Sequence, residues 1–133
     1  GFTKNFDDLD LQLIEEQFRS SITSFVRLSR AWNIEPILMT QGNRIDPSLE
    51  YFQKWYLRYQ RGEMSPKEFS DLYKRNNEIL REIALQENVD LIDLDLLIPK
   101  SNEFLYDTIH LNEAGSILMA DIVSNRLLEL MQN

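Results

Sequence analysis

The chain has a single histidine, His110, and an aspartate stands three residues before it in the run Tyr106-Asp107-Thr108-Ile109-His110-Leu111-Asn112-Glu113-Ala114-Gly115. Histidine is the side chain that takes and gives protons near neutrality, and an acceptor on one ring nitrogen decides which nitrogen is left as the base. Asp107 is spaced to be that acceptor, which makes the pair a candidate catalytic acid and base. The same spacing also suits a histidine that merely caps or packs at a helix start. As a metal site the pair is poor, because two ligands with no cysteine and no second histidine fall short of a closed coordination set. No metal and no cofactor is expected.

The elements that must hold this pair can be read on either side of it. Val89-Asp90-Leu91-Ile92-Asp93-Leu94 is an apolar run of strand length, and Asn112 is placed to cap a helix in which Ile117, Leu118, Val123, Leu127, Leu128 and Met131 recur at helical spacing. Earlier, Ile37-Leu38-Met39-Thr40 is a continuous apolar run after Pro36, as in a strand buried on both faces of a parallel sheet. Gln41-Gly42-Asn43-Arg44 ends it. Loops at the carboxyl ends of parallel strands face the ligand in open sheets, so Gln41, Gly42 and Asn43 are candidate substrate contacts. The alternative is a plain strand-to-helix turn with Gly42 at positive φ.

Further helices frame these strands. Ile14, Phe18, Ile22, Phe25 and Val26 predict an amphipathic helix from about Asp10 to Trp32-Asn33, with Asp7, Asp8 and Asp10 near its positive end and Arg27 and Arg30 near its negative end. Asp46-Pro47 suggests a helix start, and Tyr51, Phe52, Trp55, Tyr56 and Tyr59 then form an aromatic stripe, read as core or interface or as an insertion over the site. Ser65-Pro66-Lys67-Glu68 has the pattern of a capping box, followed by a periodic run through Ile83. Strands separated by helices predict a parallel sheet joined by crossovers.

Composition narrows the partners. With 133 residues, 43% hydrophobic and 27% charged, the chain fits one globular domain or part of one. A net charge of −8 argues against nucleic acid and anionic membrane surfaces, which need clustered Lys and Arg. No run approaches the ~20 apolar residues of a membrane span. Without cysteine the compartment is left open.

The succession of strand, loop with Ile98-Pro99-Lys100, Asp107-x-x-His110 and a helix after Gly115 resembles the last conserved block of the SGNH, or GDSL-type, hydrolases. The likeness covers roughly Trp32 to the end and is strongest from Asn76 to Val123. It implies a three-layer α/β/α fold with parallel strands, of the SGNH or flavodoxin-like kind, with only its C-terminal part present. It also implies serine ester hydrolysis, with His110 as base, Asp107 as its orienting acid and a small-molecule or glycan ester as substrate. The family's Gly-Asp-Ser turn and its Gly-x-Asn-Asp motif do not occur here, so the chain by itself is expected to be inactive. The alternative is a truncated or degenerate relative kept for binding or dimerisation. In the family's strand order Ile37 to Thr40 would be left as an unpaired edge, which predicts a homo-oligomer or association with an N-terminal segment. The aromatic stripe from Tyr51 to Tyr59 is expected to be covered in the same way, by another chain or a second copy.

Overall fold

The computed structural model describes residues 11–59 and 64–132. The order of elements is α1 (Leu11–Ala31), β1 (Ile37–Met39), α2 (Glu50–Tyr59), α3 (Pro66–Gln86), β2 (Asp90–Ile92), α4 (Leu94–Leu97) and α5 (Glu113–Met131). Helix accounts for 63% of it, and β1 and β2 are three residues each, paired in parallel with Leu38 opposite Leu91. The expected three-layer sheet fold is therefore not what forms: this is a small, mostly helical protein with one two-stranded parallel ladder. The ladder ends before the apolar runs do. Thr40 N still reaches Ile92 O at 3.2 Å, but Asp93 turns the chain into α4 at once, with Leu96 N and Leu97 N bonded to its carbonyl.

Alternating strand residues point to opposite faces, and the two faces feed two apolar clusters. Leu38 joins Val26 of α1 and Ile79, Ile83 and Ala84 of α3, with Phe18 and Ile22 packed alongside. Ile92 joins Leu94, Ile98 and Leu105, with Ile37 and the α5 residues Met119, Ile122 and Val123 against them. Ile79, Ile83 and Leu105 are fully buried, and each such side chain contributes roughly 1.5–3 kcal/mol by leaving water. Met39 is about half exposed, so β1 is not buried on both faces as its apolar run suggested. Among the described residues its outer edge has no strand partner.

The helix ends follow their capping chemistry. Ser65 and Glu68 form the reciprocal capping box at α3, with Pro66 in the first turn. Asp46 does not cap a helix: its carboxylate accepts Ser48 N and Ser48 Oγ in a local turn, and α2 begins only at Glu50. The aromatic stripe of α2 is covered from within. Phe52 and Tyr56 are buried against Phe69, which in turn lies 4.9 Å from the Tyr73 ring. No second chain is required there. The Tyr59 side chain and the acids Asp7, Asp8 and Asp10 lie outside the described residues.

Candidate functional site

The loop between Leu105 and Leu111 is closed before any side chain acts. These two residues form an antiparallel bridge, Tyr106 N donates to His110 O at 3.1 Å, and Asn112 N donates to Phe104 O at 3.0 Å. Asn112 then caps α5 by accepting Gly115 N at 2.9 Å. Gly115 is required by closeness: a Cβ there would stand 2.0 Å from the Phe104 carbonyl oxygen. Leu105 and Thr108 are sealed in the core beneath, so the turn is anchored at two points.

On this turn Asp107 and His110 meet. Asp107 Oδ2 lies 2.8 Å from His110 Nδ1, while Oδ1 accepts Ile109 N at 2.9 Å and His110 N at 2.8 Å. A carboxylate so engaged takes the Nδ1 proton as a hydrogen-bond donor, which leaves Nε2 of the neutral ring as the basic nitrogen. Burial pushes the Asp107 carboxyl upward, but the two backbone N–H groups and the imidazole outweigh it and hold it below the ordinary aspartate value. The carboxylate is largely covered and the imidazole more than half exposed, at 19% and 58%. A largely covered orienting acid behind an exposed base is the arrangement proton transfer needs. Tyr106 stacks on the imidazole, ring centroids 5.5 Å apart and planes 14° from parallel, a contact that spacing alone did not suggest.

Beside the turn lies a cleft of about 310 Å³ with Gln41, Gly42, Leu94, Ile98, Ile109 and Met119 among its walls. Two of the three expected substrate contacts, Gln41 and Gly42, thus face it together with a residue of the Asp-x-x-His turn. Asn43 does not. Its amide is spent on Gln41 O, Asp95 Oδ1 and Ile45 N, and the residue is buried. Gly42 has no positive φ; it is small because α4 is close, with Leu94 O and Ile98 Cδ1 each 3.2 Å from where a Cβ would be.

No family model matches the chain, and no curated protein matches it.

A polar network that sequence reasoning missed sets the height of this loop. Arg81 of α3 holds Asp93 through Nε at 2.7 Å and Nη2 at 2.9 Å, and reaches Asp95 Oδ2 at 2.8 Å. Thr40 Oγ1 donates to Asp93 at 2.7 Å and accepts Asp95 N at 3.0 Å. Arg81 first, then Thr40, hold Asp93 below its usual range against the cost of burial. Asn77, buried in α3, clasps the Gln41 backbone at both its N–H and its carbonyl, a structural role. The signal was the pairing of Asp93 and Asp95 after an apolar run, whose partner 12 residues upstream no local pattern marks.

Serine hydroxyls are absent from the His110 ring among the described residues. Ser48 Oγ is bound to Asp46, and Ser101 Oγ accepts Glu103 N. Among the described residues no third His, Asp or Glu joins the pair to build a metal cluster, and no helix is long and apolar enough to cross a membrane.

Proposed function

We propose that Asp107 and His110 are the acid–base part of a serine ester hydrolase of the SGNH type, with the nucleophile and the oxyanion donors supplied from outside these 133 residues. What carries the reading is the 2.8 Å contact between His110 Nδ1 and a largely covered carboxylate, on an imidazole that is itself more than half exposed. In that role Nε2 takes the proton from the serine hydroxyl as it attacks the ester carbonyl, then returns it to the leaving alcohol, while Asp107 steadies the imidazolium between the two events. The cleft lined by Gln41, Gly42 and Ile109 suits the apolar part of a small ester.

A base with its acid contributes on the order of a hundred- to ten-thousand-fold, and each missing oxyanion donor forfeits roughly another hundred- to thousand-fold. The purified chain should therefore hydrolyse activated aryl esters negligibly and resist a fluorophosphonate serine probe. In a protein that also carries the preceding segment, both should appear, and His110→Ala should abolish turnover. Stoichiometric labelling of a serine within the short chain, or full turnover by the His110→Ala protein, would sink the assignment.

A second reading, a non-catalytic module used for binding, is favoured by one observation. Phe25 and Leu28 of α1, and Trp32 just past its end, are exposed at the border of the Phe18, Ile22 and Val26 face that enters the core. Such a stripe at helical spacing is what a partner helix or a second copy of the chain would cover.

A further inference from the structure

Two buried side-chain polar atoms lack a hydrogen-bond partner among the described residues, Arg44 Nε and Thr108 Oγ1. They belong to residues that touch, since Arg44 N donates to Thr108 O at 2.9 Å and so ties the loop after β1 to the Asp-x-x-His turn. Thr108 is two residues from His110, which places its Cα within about 7 Å of the histidine's. Orphaned buried donors are rare, and two in one seam call for a missing guest.

The charge around them specifies the guest. Arg19, Arg30, Arg75, Arg81 and Arg126 are also half-buried, and each holds a carboxylate. Arg44 has none among the described residues. The two acids close to it in the chain or the seam are occupied, Asp46 by Ser48 and Asp107 by Ile109, His110 and the imidazole. What Arg44 does contact is soft: its guanidinium carbon sits 4.1 Å over the Tyr51 ring, and Nη1 reaches Leu105 O at 3.3 Å. A cation stacked on an aromatic ring and weakly tethered keeps its charge free for a planar or tetrahedral oxyanion.

We propose that the seam between Arg44 and Thr108 is a subsite for a compact oxyanion, a carboxylate or phosphate group carried by the substrate whose ester lies at His110. This deepens the hydrolase reading and rests on it for the ester. Arg44 Nε–H and Thr108 Oγ1–H are the donors. Because both atoms are sealed, the guest enters as the guanidinium releases Leu105 O, and the 3.3 Å length of that bond makes the release cheap. In a chain of net charge −8, an arginine that holds no carboxylate among the described residues and is tied to the Asp-x-x-His turn selects anionic substrates locally where the overall field repels them.

Titration of the purified chain with succinate and, separately, inorganic phosphate, at ionic strength held constant with chloride, tests this through the Arg44 Nε–H resonance of the wild type and, in the wild type and every variant, the backbone N–H resonance of residue 108. A saturable shift with a midpoint on the order of millimolar is expected, as for a single charge-assisted contact. The stronger of the two responses identifies carboxylate or phosphoryl. Arg44→Gln should abolish saturation, Thr108→Val should weaken it roughly 3- to 10-fold, and Lys54→Gln, an exposed cation on α2, should leave it unchanged. No saturable shift with either anion overturns the proposal, as does saturation retained in Arg44→Gln. The wild-type resonance decides the matter even if Arg44→Gln fails to fold. The dyad is read separately, on the ring nitrogens of His110 and on ester turnover, so the two assignments fail independently.

Discussion

At the scale of residues, the candidate site depends on which proton sits on which nitrogen. The contact between Asp107 Oδ2 and His110 Nδ1 requires a donor on the ring side, so the neutral imidazole is protonated at Nδ1. Asp107→Asn replaces one acceptor oxygen by an NH2 group, and the asparagine oxygen is claimed by the Ile109 and His110 N–H groups that Oδ1 now serves. The NH2 must then face Nδ1 and turn it into an acceptor, which moves the ring proton to Nε2. With one histidine in the chain, a nitrogen-15 multiple-bond correlation spectrum near pH 8 shows this directly: the two ring nitrogens should exchange their protonated and unprotonated shifts. Unchanged shifts would mean that Asp107 does not orient the ring. Gly115 is decided by sterics. A Cβ 2.0 Å from Phe104 O cannot be relieved by a side-chain rotation, and that carbonyl is itself held by Asn112 N. Gly115→Ala should cost at least about 1–3 kcal/mol in urea unfolding and loosen the Asp-x-x-His turn.

At the scale of elements, helix starts were legible where capping chemistry is local and illegible where tertiary contacts choose. Ser65 with Glu68, and Asn112 with Gly115, announce α3 and α5 within four residues of sequence. Asp46-Pro47 carries the same kind of signal, yet Ser48 captures the Asp46 carboxylate and α2 starts later. Likewise the glycine of the loop after β1 suggested a positive φ, when the real constraint is α4 pressing on it from 52 residues away in the chain, at Leu94. The α2 stripe was recognisable as apolar, but only the structure shows Phe69 and Tyr73 of α3 as its cover. That cover makes a prediction. Phe52, fully buried at the centre of the aromatic group, should cost roughly 3–5 kcal/mol on replacement by alanine. Leu57 on the opposite, exposed side of α2 should stay within about 0.5 kcal/mol. Equal effects in denaturant titrations would mean that α2 is not packed as described.

At the scale of the whole molecule, the succession of helices and strands and their parallel pairing were readable from apolar runs and breakers, while the extent of the sheet was not. Run length fails as a guide because Thr40 and Asp93, each at the end of an apolar run, are drawn into the Arg81 network and leave the ladder. The same network makes the fold sensitive to acid. Asp93 is held below its usual value by Arg81 first and Thr40 after the cost of burial; Asp95, raised by burial, is brought down by Lys100 and Arg81; Asp107 is brought down by its backbone donors. For a carboxylate depressed in the folded state, the stability it lends is present above its unfolded pKa of about 3.9 and is lost as pH falls through the folded value. Unfolding midpoints in urea should thus be flat from about pH 7 to 5 and fall steeply below about 4. Above the unfolded value these carboxylates are ionised in both states, so they give no slope there. Asp93→Asn removes the part of the linkage that rests on Arg81's two-point contact, and it should flatten the acid limb while lowering the neutral plateau, because Arg81 loses that partner. Midpoints that fall already between pH 7 and 5, or an acid limb unchanged by Asp93→Asn, would show that other groups govern the acid transition.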